Sequence, residues 1–413
     1  MIKFEKTVLD NGLTLLLHHD KNTPMVAVNT LFDVGAKDEN PEKTGFAHLF
    51  EHLMFGGSIN VENFDQPLQS AGGESNAFTS NDVTNYYDIL PVNNLETALW
   101  LESDRLLSLA FTDNSLEVQR KVVIEEFKQR YLNQPYGDVW AVLREMCFKK
   151  HPYMWPTIGK EISHIEDATM QDVKDFFKKH YTPQNAILCV AGNIDFEETK
   201  KLVEKWYGDI PSGNKYERNL PQEDVQTESR KVEVERDVPY DAYYKAFPMC
   251  KKGEQDYYTF DLISDILSRG KSSRLYNALV KENQIFSDIS AYVSGDMEKG
   301  LFIVSGKLNP DRNLEEADKA VIKQLELIKA GDVSENELTK VKNKAHSART
   351  FGEQNILNKA MNLCFFELQG DANLVNQEND RYDQVTLDKI KVIANQYFLE
   401  EKSNTMFYKS NKK

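Results

Sequence analysis

The sequence predicts an α+β protein built as two similar domains. Three observations carry that expectation. Strand-like and helix-like periodicities alternate along the chain. A stretch at 211–226, with Pro211, Gly213, Pro221 and many polar residues, interrupts them near the middle. The order of elements after this stretch repeats the order before it, a two-fold repeat of about 200 residues. The expected domains are residues 1–215 and 216–413.

Taken in order, residues 7–18 place Asp10-Asn11-Gly12 between two apolar runs, a hairpin signature. Residues 25–34 alternate apolar and polar side chains, as a half-buried strand does. Helical periodicity takes over around 44–54 and returns over 90–110 and 114–132. Asn114, three residues ahead of Glu117, reads as a capping box. A further helix is expected over 169–179, with Val173, Phe176 and Phe177 on its apolar face. Residues 186–191 form a buried strand ended by Gly192-Asn193. Beyond the break, 241–249 corresponds to 25–34, and in both halves a helix ending at glycine follows. The run from His48 to Ser58 can be laid over that from Asp261 to Lys271. The apolar positions agree and the polar ones do not. Strands over 289–293 and 301–305 and helices over 314–330 and 334–350 complete the second half.

Composition narrows the function classes. Apolar residues make up 40% and charged residues 28%, the balance of an ordinary globular protein. With 65 acidic and 50 basic side chains the net charge is −15, which argues against a nucleic-acid binder. No apolar run reaches the roughly 18 residues of a membrane span. The start, Met1-Ile2-Lys3-Phe4-Glu5-Lys6, lacks the apolar stretch of a signal peptide. The expectation is a cytoplasmic chain, or a periplasmic one where a signal peptide was removed before this numbering. Cys147, Cys189, Cys250 and Cys364 are far apart and show no CxxC spacing. They are expected to be buried free thiols in a reducing compartment.

The chemistry concentrates in His48-Leu49-Phe50-Glu51-His52. On a helix, His48 and His52 lie one turn apart on one face, where two imidazoles can bind one zinc ion. Glu51 sits beside that face, within reach of a water. This is the inverted form of HExxH. A catalytic zinc takes three protein ligands, and the helix over 114–132 offers Glu125 and Glu126 for the third. The pair His18-His19 lies at a strand end, where neighbours point to opposite faces and chelate poorly. His151, His164, His180 and His346 are isolated and expected to be structural or exposed.

These residues resemble the inverzincin peptidases, the family of pitrilysin, insulysin and the mitochondrial processing peptidase, here as a short two-domain bacterial-type subunit. The resemblance extends through Gly45-Phe46-Ala47, Met54-Phe55-Gly56-Gly57-Ser58 and Gly72-Gly73-Glu74-Ser75-Asn76-Ala77-Phe78-Thr79. It continues through Arg120-Lys121-Val122-Val123-Ile124-Glu125-Glu126, His151-Pro152-Tyr153, Pro156-Thr157-Ile158-Gly159, Pro183-Gln184-Asn185-Ala186 and Gly270-Lys271-Ser272-Ser273-Arg274-Leu275-Tyr276. The first half is the more specific. Its register makes Glu126, not Glu125, the third ligand. The resemblance implies one zinc ion per chain on His48, His52 and Glu126, with Glu51 as general base. It implies peptide substrates pairing with the strand Asn76, Ala77, Phe78, Thr79. Many members carry a glutamate supporting the site where this chain has Gln119, an altered second support.

The resemblance further implies that each domain is a mixed, mainly antiparallel sheet with helices on one face, and that the chain is half of a clamshell. The second domain has no metal site, since Asp261, Ser264 and Asp265 stand where the motif would be. In short members the other half is a second chain. Members active alone carry an Arg and a Tyr in the zinc-less half. Here Phe302 stands at the Arg position, and 307–317 holds no Tyr. The expectation is therefore a zinc-dependent endopeptidase, the zinc-bearing subunit of a heterodimer whose zinc-less partner supplies Arg and Tyr. The bland alternative is a homodimer in which Arg274, Tyr276 or Tyr292 does that work. A non-catalytic assembly subunit is the rival reading, and the complete set His48, Glu51, His52 and Glu126 argues against it.

Overall fold

The computed structural model describes residues 1–295 and 297–411. The strands are β1 Glu5–Val8, β2 Thr14–His19, β3 Met25–Phe32, β4 Glu74–Thr79, β5 Thr84–Pro91, β6 Ala186–Gly192, β7 Arg230–Arg236, β8 Ala242–Pro248, β9 Phe286–Val293, β10 Leu301–Leu308 and β11 Asn404–Ser410. The helices are α1 Phe46–Leu53, α2 Asp65–Ser70, α3 Leu95–Ser108, α4 Asp113–Phe127, α5 Val139–Cys147, α6 Ile162–Glu166 and α7 Met170–His180. They continue with α8 Phe196–Tyr207, α9 Gln255–Ser268, α10 Leu314–Ala330, α11 Glu335–Gly352, α12 Ile356–Leu368, α13 Glu378–Asp383 and α14 Leu387–Tyr397. Among the described residues no helix is long and apolar enough to cross a membrane.

The chain forms two compact units. One comprises Met1–Leu132, His151–Pro221 and Thr350–Asn376; the other comprises Asn133–Lys150, Gln222–Arg349 and the described part of Gln377–Lys413. The first holds a six-stranded sheet in the order β1-β2-β6-β3-β5-β4, the second a five-stranded sheet in the order β7-β11-β8-β10-β9. In each sheet one pair is parallel, β2 with β6 and β11 with β7, and the remaining pairs are antiparallel. The expected α+β class, with mainly antiparallel sheets under helices, is what the chain adopts.

In the first unit, alternation splits the strands between two apolar layers. Val26, Val28, Phe32, Tyr86 and Leu90 meet Leu49, Phe50 and Leu53 of α1, Leu116 and Val123 of α4, and residues of α3, α7 and α8. Ala27, Leu31, Cys189 and Ala191 face the other way, against Ile356, Leu357, Ala360, Leu363 and Cys364 of α12. All seven residues of β6 are buried, because both of its faces are covered. In the second unit α9, α10 and α14 share a core with Tyr243, Phe247, Phe302 and Val304, and α5 lies against β8 and β11.

Two expected helices differ in extent. The segment 90–110 opens as strand: β5 runs through Leu90, which pairs with Val26, and α3 begins only at Leu95, after Pro91. The helix expected over 114–132 starts one residue earlier. Its cap is Thr112, whose hydroxyl accepts the Ser115 N–H at 3.0 Å, instead of an Asn114–Glu117 box. Past Phe127 the turn widens into a π-helical segment, Lys128–Leu132. Between β1 and β2, Gly12 holds φ +90°, the left-handed conformation the hairpin turn requires. The linker region 211–226 carries no regular structure, and all four cysteines are free and buried.

Candidate metal centre

α1 starts from a glycine because nothing else fits. Gly45 has φ +89°, and a Cβ there would stand 2.5 Å from the Ile158 carbonyl oxygen. A glycine offers no side-chain cap, so Glu39 supplies one from the turn after β3. Its carboxylate accepts the Gly45 and Ala47 N–H groups at 2.9 Å each and the Trp155 Nε1–H at 3.1 Å. Burial pushes this carboxyl up to about 8, against those three donors. Leu49, Phe50 and Leu53 bury one stripe of α1, which leaves His48, Glu51 and His52 partly exposed on the other.

α4 packs beside α1 through Leu116 and Val123. Arg120 ties it down, donating to the Ile165 and Ala168 carbonyl oxygens. Glu126 then meets the histidines. Its Oε2 lies 3.6 Å from His48 Nε2 and 3.4 Å from His52 Nε2. Tetrahedral zinc with ligand bonds of about 2.0–2.1 Å requires ligand atoms about 3.3 Å apart, so this donor set fits zinc. Among the described residues, these three form the only group of His, Cys, Asp and Glu side chains able to hold a metal. Glu125 is turned outward, exposed and paired with Lys128 at 2.7 Å.

The electrostatics suit a cation. Burial, then the neighbouring His52, pushes His48 down to about 4, so its imidazole is neutral and its lone pair free to ligate. The His52 hydrogen bond leads the effects that lower Glu126 and keep it ionised. The second oxygen of Glu126, Oε1, is 3.0 Å from Arg130, four residues on in the π-helical segment. Burial raises Glu51, and the hydroxyl of Thr79 opposes that rise by donating to its Oε2 at 2.6 Å.

Thr79 is the last residue of β4, the outermost strand of its sheet. Asn76 is exposed there, and its Oδ1 accepts the Ala77 N–H at 2.8 Å. Phe78 points to the opposite face and stacks on Phe365 of α12, with ring centroids 6.5 Å apart. The four residues of the expected substrate strand are therefore split between two faces, with Thr79 directed at the metal site. Gln119 is half-buried on α4, and among the described residues its side chain has no hydrogen-bond partner. The groups that brace the site are instead Arg130, Thr79 and Glu39. Of these, Thr79 was expected as part of the substrate strand and not as a partner of Glu51, Arg130 had a signal in its four-residue spacing from Glu126, and Glu39 had none.

The other histidines lie elsewhere. His18 and His19 bind different carbonyls, of Lys3 and Ile194. His151 caps Tyr153, His164 bonds Thr44, His346 pairs with Asp383, and His180 is fully buried. In the second unit, Asp261 and Asp265 on α9 are engaged by the Tyr382 hydroxyl and by Arg269.

Residues 14–158 match the family described as Insulinase (Peptidase family M16), and residues 167–345 match Peptidase M16 inactive domain. The zinc protease PqqE of Helicobacter pylori is 28% identical over 98% of this chain and 93% of its own length. The uncharacterized zinc protease YmxG of Bacillus subtilis is 24% identical over 95% of each. A crystal structure of a protease from Helicobacter pylori, 27% identical, superposes with a TM-score of 0.93 over 99% of this chain and all of that one.

Proposed function

We propose a function from one premise: the chain is an insulinase-like, M16-family zinc-protease-like protein. It is a zinc-dependent endopeptidase that cleaves peptides or short unfolded segments inside a closed chamber. The observation that carries this reading is the convergence of the His48, His52 and Glu126 ligand atoms beside Glu51. One zinc per chain on these residues would supply Lewis acidity and acidify water. Glu51 takes the proton of the attacking water and returns it to the leaving amine. The open edge of β4 receives the peptide as an added strand, which orients the scissile bond with little demand on sequence.

Within this reading the chain is the zinc-bearing subunit of a heterodimer. Its halves, 1–215 and 216–413, are homologous domains, and the second has no metal site. Phe302, at the position of the helper Arg, is fully buried in the second core. Arg274, the alternative helper, and Arg312, the arginine nearest in sequence to Phe302, are engaged elsewhere. Arg274 pairs with Glu337 and Asp332, and Arg312 binds the Asn283 carbonyl oxygen and Glu316. Losing one oxyanion donor typically costs about a hundredfold or more in rate. The test is to measure zinc content and cleavage of a quenched peptide by this chain alone. Slow turnover, restored by a zinc-less relative that carries the Arg and Tyr, is the expected result. Robust cleavage by the homogeneous chain refutes the heterodimer, and a zinc-free, inert chain supports the assembly-subunit reading.

A further inference from the structure

We propose that Thr79 is a positioning residue for Glu51: its hydroxyl fixes one carboxylate oxygen so that the other faces the water to be deprotonated. The strand offered to the peptide thereby also aims the base. This inference rests on the peptidase reading above.

The geometry begins with the donor. Thr79 Oγ1 gives its only proton to Glu51 Oε2 at 2.6 Å, within the range of about 2.5–2.7 Å for a hydroxyl on an ionised carboxylate. A hydroxyl so engaged has no proton left for a peptide. Its direction is set by backbone on both sides. Thr79 pairs with Thr84, the Ser80 N–H closes the turn onto the Val83 carbonyl at 2.8 Å, and Thr84 is tied to the Val34 carbonyl at 3.0 Å. A β-branched side chain on so constrained a backbone has few rotamers.

Glu51 needs such a partner. The terminal torsion of a glutamate is broad and roughly two-fold, so its carboxylate is free to turn unless something holds it. The face of α1 that carries Glu51 is the one left out of the core. With Oε2 held by Thr79, Oε1 is the oxygen left to accept a proton. Alternation places Ala77 and Thr79 on the α1 side of β4 and Asn76 and Phe78 on the other. Peptide added to the free edge of β4 stiffens the strand whose last side chain holds the base. Substrate binding and base orientation are thus linked through one strand.

The test compares zinc-loaded wild type with Thr79→Val, which keeps the shape and removes the donor, and Thr79→Ser, which restores it. Single-turnover cleavage of a quenched peptide, with chain in excess, registers even slow hydrolysis. The expected result for Thr79→Val is a saturating rate roughly tenfold or more lower. Half-saturation and zinc content stay unchanged, and Thr79→Ser recovers most of the rate. In a Glu51→Gln background, Thr79→Val should leave peptide affinity unchanged by fluorescence anisotropy. Crystals of zinc-loaded Thr79→Val should show the Glu51 carboxylate turned or split between orientations. An unchanged rate, weakened peptide affinity or an unmoved Glu51 overturns the inference. If the wild type binds no zinc, or cleaves nothing both alone and with a zinc-less relative, the peptidase reading falls, and the crystallographic position of Glu51 alone decides the role of Thr79.

Discussion

Arg130 and the two histidines divide the carboxylate of Glu126 between them: Oε2 faces His48 and His52, and Oε1 lies 3.0 Å from the guanidinium. One oxygen is therefore left for a metal, and its direction is set from behind. Arg130→Gln should weaken zinc binding roughly threefold to tenfold, read by competition with a chromophoric chelator. The effect is kept small because Arg130 is exposed and its charge screened. Arg130→Lys should fall between, having one point charge and no fork. Equal affinities for all three chains would remove Arg130 from the site.

The ligand set makes a sharper prediction. Glu51→Gln should abolish cleavage while retaining about one zinc per chain, since Glu51 is not a ligand. His48→Ala, His52→Ala and Glu126→Ala should each lose the metal. Glu125→Ala should keep most of both metal and activity, because that side chain points away toward Lys128. Metal analysis of the purified variants checks all five. Zinc lost from Glu125→Ala and kept by Glu126→Ala would shift the register by one residue.

Proline at position 77 probes the free strand edge. The Ala77 N–H bonds the side chain of Asn76, so it lies on the side of β4 away from β5. Ala77→Pro removes that donor on an edge strand, where proline is tolerated. Peptide binding to a Glu51→Gln background should weaken several-fold, with zinc content unchanged. Isothermal titration with a decapeptide reads the affinity, metal analysis reads the zinc, and undiminished affinity places the peptide elsewhere.

His180 should govern part of the acid sensitivity. Burial, reinforced by Lys179 and Arg218, pushes its imidazole down to about 3, while in the unfolded chain it titrates near 6.5. Above pH 6.5 both states hold it neutral and nothing is lost. As the pH falls below that, the unfolded chain takes up the proton first and stability declines until about pH 3. Between pH 7 and pH 5 the loss from this group is about 2 kcal/mol. Urea unfolding of His180→Phe should show a shallower decline over the same interval. Parallel curves for the two chains would assign the acid limb to other groups.

What the sequence disclosed follows the range of the interactions. His48 and His52 are neighbours on one helix, so their spacing declared them. β3 was plain as a strand, although it is buried on both faces, between α1 and α12, where a half-buried strand with one polar face was expected. β5 was not, because it buries polar side chains on both faces. Asn85 exchanges amide hydrogen bonds with Asn29 at 2.8 and 2.9 Å, and Asp88 is fully buried near Glu102 and Arg105. Those residues break the apolar pattern, and only the end of the strand at Leu90 was legible, as the start of a helix. The bonds from Thr79 to Glu51 and from Glu39 to the start of α1 join segments that no local period connects. The apolar face of α12 is legible, but nothing in its own sequence says that it covers a sheet formed by residues from 5 to 192.

That last feature bears on how the protein can be made in pieces. α12 comes from the second half of the chain and completes the first unit, and α5 makes the reverse trip. A gene divided at the linker near residue 215 would encode two fragments, each lacking a helix that its own sheet requires. The N-terminal fragment would lose the burial of Ile356, Leu357, Leu363 and Phe366, on the order of 2 kcal/mol for each large side chain. That total rivals the whole margin of about 5–15 kcal/mol that keeps a domain folded. It would also bare the apolar face of β3 and β6 to solvent, an invitation to aggregate. Expressed apart, the fragments should precipitate or stay molten; expressed together, each carries the helix the other lacks and they should rescue one another. Truncations near residue 350 should likewise cripple the first unit although they leave its His48–His52 motif untouched.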